Sequence, residues 1–261
     1  MKILCISDLH LSSSDILKFG LRPNTITHLK NIKDTVIETN PDLVVCTGDT
    51  VWSRKVQQIS PILRDIIPYE IPIVVTLGNH EFWDYKFERT LERARVASTY
   101  DGLGGKNIFY LDVIGSVIIG GINFVGGTLF FDGSMRYREN QHVDEWDGWQ
   151  DFRIPEIQTR YLEFNQYYKD MIEANIKSNM PNVLCTHHVP HINLNGHEPS
   201  HYSFYTGMKD FVHELPFNPR YYNYIICGHT HKRVIGEVIP WFMCVNVGSD
   251  YNDFKYYVLE T

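Results

Sequence analysis

Five short apolar runs in this chain each end abruptly in side chains that can bind a metal. Ile3-Leu4-Cys5-Ile6 leads into Ser7-Asp8-Leu9-His10. Leu43-Val44-Val45-Cys46 leads into Thr47-Gly48-Asp49, and Ile71-Pro72-Ile73-Val74-Val75-Thr76-Leu77 into Gly78-Asn79-His80-Glu81. Val183-Leu184-Cys185 is followed by Thr186-His187-His188, and Tyr224-Ile225-Ile226-Cys227 by Gly228-His229-Thr230-His231. Uninterrupted apolar runs of this length read as strands buried on both faces. Positions i and i+2 of an extended backbone point to the same side. Asp8 with His10, and His229 with His231, can therefore each aim two ligand atoms into one space.

The segments between the runs suggest how they meet. Ile26, Leu29, Ile32, Val36 and Ile37 carry helical spacing that Pro41 ends, and Val56, Ile59, Ile62, Leu63, Ile66 and Ile67 repeat it before Pro68. Alternating strands and helices make a parallel sheet, and ligands bind outside the carboxyl ends of such strands. Asp8, His10, Asp49, Asn79 and His80 are predicted to share that edge. The glycines at 48, 78 and 228 are expected to let the backbone turn sharply there.

Residues 85–98 read as an exposed helix and 101–105 as a loop. The runs at 108–111, 116–119 and 122–125 predict antiparallel strands of a second sheet, with Gly120-Gly121 as a hairpin turn. Residues 128–160 mix Phe130, Phe131, Trp146 and Trp149 with acidic side chains and show no period. A long irregular segment in a compact domain is more often functional than idle, so a substrate cap or a subunit contact is expected. A helix over 161–176, a short one within 206–215, and strands at 234–239, 242–247 and 256–259 complete the prediction. One domain over 1–261, interrupted around 128–160, is the simplest organisation.

Composition narrows the chemistry. A formal charge of −7 argues against a general nucleic-acid surface, because phosphate contacts need Lys and Arg. The five cysteines show no paired-ligand spacing and read as small buried hydrophobes in a reducing compartment. No signal segment or membrane span is expected, and a cytoplasmic location follows. The ligand set is oxygen and imidazole nitrogen without thiolate, which suits Mn, Fe, Co, Ni or Zn. It holds too many candidates for one ion. Two divalent ions sharing a carboxylate fit the count, and phosphoester hydrolysis is the reaction class that such pairs serve best.

Taken together, Asp8-Leu9-His10, Gly48-Asp49, Gly78-Asn79-His80-Glu81, Thr186-His187-His188 and Gly228-His229-Thr230-His231 resemble the blocks of the calcineurin-like metallophosphoesterase superfamily, in the family's order. The Thr-His-His block and Gly126-Gly127-Thr128-Leu129-Phe130 look similar to its small stand-alone bacterial or phage-type members. The resemblance implies an α/β fold, a two-sheet β-sandwich flanked by helices, with the dimetal site at the carboxyl ends of the strands. It implies that Asp8, His10 and His231 hold one ion and that Asn79, His229 and one of His187 and His188 hold the other, with Asp49 between. His187 is favoured because the family's ligand follows the apolar run after one small residue. His188 and Glu81 are then expected behind the ligands or against substrate.

In the same resemblance His80 contacts the phosphoryl group, stabilising the transition state or protonating the leaving oxygen, and the nucleophile is a hydroxide shared by the ions. Mn is the favoured metal. The implied activity is that of a phosphodiesterase or phosphatase on a small molecule or nucleotide. The competing expectations are a nuclease on RNA or DNA and a non-catalytic scaffold on the same fold. The protein phosphatases of the superfamily carry Asp-Arg-Gly after the second block, where this chain has Thr50-Val51-Trp52-Ser53-Arg54. Of the remaining histidines, His191, His197 and His201 lie where they could reach a substrate.

Overall fold

In the computed structural model, which describes residues 1–11, 23–52, 55–99, 107–144, 148–251 and 253–261 and only the backbone of 23–26, the first apolar runs pair side by side. Strands β1 (Lys2–Ile6), β2 (Leu43–Thr47), β3 (Ile73–Thr76) and β4 (Ile108–Tyr110) run parallel in that order, and β11 (Tyr257–Glu260) closes the edge antiparallel to β1. Helices α1 (Pro23–Thr39) and α2 (Val56–Ile66) make the crossovers. Ile32 and Val36 of α1 are buried, whereas Ile37 is turned to solvent.

The second sheet has the order β5-β6-β7-β8-β10-β9. Strands β5 (Ser116–Ile119) and β6 (Ile122–Gly127) form the hairpin at Gly120-Gly121, both glycines having positive φ. Then β6, β7 (Asn182–Thr186), β8 (Asn223–Cys227) and β10 (Phe242–Asn246) run parallel, and β9 (Val234–Ile239) is antiparallel to β10.

Strand alternation divides each run between two cores. Ile3, Cys5, Val45 and Val74 of the first sheet pack with Phe124, Val183, Cys185, Ile226 and Val245 of the second. Leu4, Ile6, Val44, Cys46 and Val75 belong to a larger cluster with Ile59, Ile62 and Leu63 of α2. The same cluster holds Leu184 and Ile225 with Phe164, Tyr168 and Ile172 of α6 (Ile157–Asn175). The layers are thus helix, sheet, sheet, helix. Among the described residues no helix is long and apolar enough to cross a membrane.

Two expectations need correction. The run at 108–111 was expected in the antiparallel second sheet. It instead gives β4, parallel to β3, and Leu111 opens the short helix α5 (Leu111–Ile114). Helix α4 (Phe87–Thr99) carries the chain back before β4, and such a crossover produces a parallel neighbour. Nor is α4 wholly exposed, since Phe87, Leu91, Ala94 and Ala97 are buried along one side. The four-residue helix α3 (Asn79–Phe82) precedes it. The loop expected at 101–105 and the residues 145–147 lie outside the described residues.

The described residues from 128 to 156 are irregular apart from a turn of 3-10 helix at Gln150–Arg153. It is firmly anchored: Leu129, Phe130, Phe131 and Ile154 are all buried. The fold also ties the edges of its two sheets through one buried carboxylate. Asp112 Oδ2 accepts Leu77 N–H at 2.7 Å just after β3, and Oδ1 accepts Thr128 N–H at 2.8 Å just after β6. Removing it leaves two buried donors unpaired, at about 1–3 kcal/mol each. Asp112→Ala is expected to lower the midpoint of thermal unfolding by roughly 10 °C, taking about 2–4 °C per kcal/mol for a chain of this size. A melting curve unchanged from the parent protein would contradict that role.

Candidate metal centre

The ligand-type side chains are presented by an unusual backbone. Asp8 (φ 54°), His10 (45°), Asp49 (48°), His229 (70°) and His231 (55°) all occupy the left-handed region. That conformation is disfavoured for L-residues by roughly 1–2 kcal/mol each, with Asp and Asn among the best tolerated. Cross-links hold it in place. Asp8 N–H donates to Gly48 O at 3.1 Å and His10 N–H to Asp49 O at 2.8 Å. His229 N–H donates to Asp8 Oδ1 at 3.0 Å, joining the second sheet to the first.

The glycines serve this crowding more than the turning. Gly48 is left-handed (φ 83°), and a Cβ there would also strike the His187 ring. Gly228 has no such φ. Its added Cβ would collide with Ser7 Oγ and Asp8 Oδ2, so glycine is needed there for close approach.

Two groups of ligand atoms result. In the first, His231 Nε2 lies 3.5 Å from Asp8 Oδ1 and 3.4 Å from His10 Nε2. In the second, Asn79 Oδ1 faces His187 Nε2 at 2.8 Å and His229 Nδ1 at 3.1 Å. Asp49 stands between them: Oδ2 is 3.8 Å from His10 Nε2, and Oδ1 is 3.5 Å from His187 Nε2. His80 Nε2 is 3.6 Å from Asp49 Oδ2, and its ring stacks on Trp83 at 3.6 Å. Every candidate ligand and His80 thus meets at one end of the sandwich.

The second group cannot be an ordinary hydrogen-bond cluster. His187 Nδ1 lies 2.9 Å from Thr47 O, and a carbonyl only accepts, so Nδ1 carries the hydrogen. Burial holds His187 below the usual imidazole range, so it is neutral and its Nε2 is a bare lone pair. His229 Nε2 faces Tyr205 O at 3.2 Å, and burial with the neighbouring His187 keeps this ring neutral too. Its Nδ1 is therefore also bare. The Asn79 amide is oriented by Nδ2, which donates to Asp151 Oδ1 at 2.6 Å. Two nitrogen lone pairs and an amide oxygen face one another with no hydrogen between them. That set repels itself and is suited to a divalent cation.

Electrostatics around Asp49 agree. Burial, then the charges of Glu81 and Asp8, push its carboxyl well above the usual range. The ion-pair partners described for Asp8 and Asp49 are all histidines. Burial drives His10 down to about 3. Burial pulls on His231 as well, but the hydrogen bond and charge of Asp8 outweigh it and leave that ring raised. Positive charge is missing where carboxylates are buried, and bound cations would supply it.

A family model for calcineurin-like phosphoesterases matches residues 1–233. The chain belongs to that family. It is therefore a metal-dependent phosphohydrolase by lineage, and Asp8, His10 and His231 form one of its side-chain clusters able to hold an ion. Phosphopantetheinyl hydrolase from Mycobacterium tuberculosis has a similar fold, with a TM-score of 0.67 at 13% identity over 98% of this chain and 95% of that one. A protein of Thermus thermophilus is similar with a TM-score of 0.50 at 11% identity, over 99% and 98%. Comparison with curated proteins finds no match.

His188 and Glu81 are placed behind these ligand-type side chains. His188 is fully buried, 4.0 Å ring to ring from His229 and beside Phe130. The Glu81 carboxylate accepts the backbone N–H groups of Gly78, Asp49 and Val51 at 2.6, 3.1 and 2.9 Å. Burial nonetheless raises it to about 7. His191, His197 and His201 bond elsewhere: to Asn193 N–H, to Thr230 O and to the Tyr137 hydroxyl.

Of the walls, only Trp149, in the segment expected as a cap or subunit contact, was signalled by the sequence. A cavity of about 250 Å³ over the centre is lined by Trp83, Trp149, Tyr202 and Tyr251 together with Asp151, Asp49, Asn79, His80, His229 and His231. Tyr251 stacks on His10 at 4.3 Å. Trp83, Tyr202 and Tyr251 come from separate loops, so no local pattern announces them. Separate replacement of the neighbouring histidines checks the placement of the pair. His187→Ala is expected to lose one equivalent of bound Mn²⁺ in calorimetric titration. His188→Ala is expected to keep both and lose roughly 2–4 kcal/mol of stability to the cavity it leaves. The reverse pattern would exchange the two assignments.

Proposed function

We propose that the chain hydrolyses a small phosphodiester, with two divalent ions held by the two ligand groups. The observation that carries this reading is the meeting of His187 Nε2 and His229 Nδ1 at Asn79 Oδ1, at 2.8 and 3.1 Å. Asp8, His10 and His231 would hold one ion, and Asn79, His187 and His229 the other. Asp49 would be shared. When bound, such ions neutralise phosphoryl oxygens and lower the pKa of a water between them. The mixed carboxylate and imidazole set suits Mn, Fe, Co, Ni or Zn, and manganese is the metal proposed.

The chain's own groups do the rest. Asp49 fixes the spacing of the two ligand groups, and its Oδ1 accepts His80 N–H at 3.0 Å. Burial among other histidines keeps the His80 ring neutral, so it offers an N–H to a phosphoryl or leaving oxygen without adding charge. Its Nδ1 has no hydrogen-bond partner among the described residues. The stacked Trp83 ring limits how it can turn.

The aromatic walls exclude water from the ester. The cavity lining contains no Lys or Arg among the described residues, which favours the single charge of a diester over the dianion of a monoester. A half-open cavity of about 250 Å³ also suits a small molecule or nucleotide. A cytoplasmic location accords with the buried free thiols of all five cysteines.

Hydrolysis of bis-p-nitrophenyl phosphate after Mn²⁺ loading tests the reading, with p-nitrophenyl phosphate as the competing monoester. The diester is expected to be the better substrate by kcat/KM. His80→Ala is expected to lower kcat about 10²–10⁴-fold while both ions stay bound, the usual size of a lost proton-transfer group. A fully loaded protein inactive on both esters would overturn hydrolysis, and a strong monoester preference would overturn the diester assignment.

A further inference from the structure

Asp151 lies outside every ligand block, in the irregular segment between β6 and α6, yet it reaches the heart of the centre. Its side chain is buried, at 1% exposure. Oδ1 accepts Asn79 Nδ2 at 2.6 Å and Trp83 Nε1 at 2.8 Å. Oδ2 is buried and has no hydrogen-bond partner among the described residues.

The consequence for Asn79 is specific. A carboxamide can present either its oxygen or its NH₂ group to a ligand site, and only the oxygen binds a cation. A carboxylate at Asp151 accepts hydrogen bonds and cannot offer one while ionised. It therefore captures the NH₂ end and turns Oδ1 toward His187 and His229. The same oxygen also takes the Trp83 indole N–H, and Trp83 stacks on His80. One atom thus orients a ligand of one ion and the platform beneath the phosphoryl-contacting histidine.

We propose that Asp151 is a positioning residue for the second ion, through which the segment between β6 and α6 sets the orientation of Asn79. The proposal rests on the dimetal reading above. It assigns the long irregular segment a task beyond covering the cavity. The 3-10 turn Gln150–Arg153 delivers Asp151 to Asn79, and Arg153 O accepts Asp84 N–H at 2.7 Å, fastening the turn to the loop after α3. Arg153 also lies over the Trp83 ring at 4.5 Å.

Three variants of the full chain separate orientation from simple loss of packing. Asp151→Asn keeps an oxygen acceptor, Asp151→Leu keeps the volume without one, and Asp151→Ala removes both. Each is stripped of metal and titrated with Mn²⁺ by calorimetry, with kcat and KM on bis-p-nitrophenyl phosphate measured alongside. The parent protein is expected to bind two equivalents. Asp151→Leu and Asp151→Ala are expected to keep the equivalent at Asp8, His10 and His231 and to weaken the other about 10–100-fold, the usual effect of removing a group that orients a ligand. Asp151→Asn is expected to stay within a few fold of the parent. Two equally tight equivalents in a folded Asp151→Leu would overturn the proposal, as would an Asp151→Asn as damaged as Asp151→Leu. A parent protein that binds fewer than two equivalents would instead overturn the dimetal reading itself.

Discussion

Three acceptor atoms with no hydrogen to share stand at the centre of this molecule. His187 Nε2 and His229 Nδ1 each present a lone pair to Asn79 Oδ1 at 2.8 and 3.1 Å. Burial denies the imidazoles the protonation that would relieve the repulsion. Thr47 O, Tyr205 O and Asp151 hold the three groups so that none can turn away. A cation resolves the conflict, and the surrounding structure becomes intelligible as the means of creating it.

The fold supplies that means by stacking two sheets with parallel strands and aligned carboxyl edges. β1, β2 and β3 bring Asp8, His10, Asp49 and Asn79 from one side, and β7 and β8 bring His187, His229 and His231 from the other. The sheets are joined at this edge by His229 N–H on Asp8 and by Asp112 between Leu77 and Thr128. Five left-handed residues and several buried carboxylates and histidines make the edge costly in the metal-free chain. Metal binding offsets this, since a site filled at a hundredfold its Kd adds about 2.7 kcal/mol to stability. Metal binding at this edge would therefore couple to folding.

The ligand blocks were legible because their chemistry is local. A buried strand that ends in Asp-x-His or His-x-His marks a site from sequence even though these residues turn left-handed instead of staying extended, and the order of such blocks pointed to the family. The hairpin at Gly120-Gly121 was legible for the same reason. Parallel β4 was not, because the run at 108–111 carries apolar periodicity but no sign of which sheet will receive it. The role of Gly228 was misread as a turn because its constraint comes from Ser7 and Asp8, far away in sequence. Asp151 was invisible: one acid among several in 128–160, it matters through an amide at Asn79 and an indole at Trp83. Trp83, Tyr202 and Tyr251 in the cavity wall share that character.

Anomalous diffraction from crystals grown with Mn²⁺ tests the central claim most directly, because it locates the ions and identifies them together. The account predicts two manganese peaks, one among Asp8, His10 and His231 and the other among Asn79, His187 and His229, with Asp49 bound to both. A single peak, or a pair of peaks that leaves Asp49 or Asn79 unbound, would contradict it.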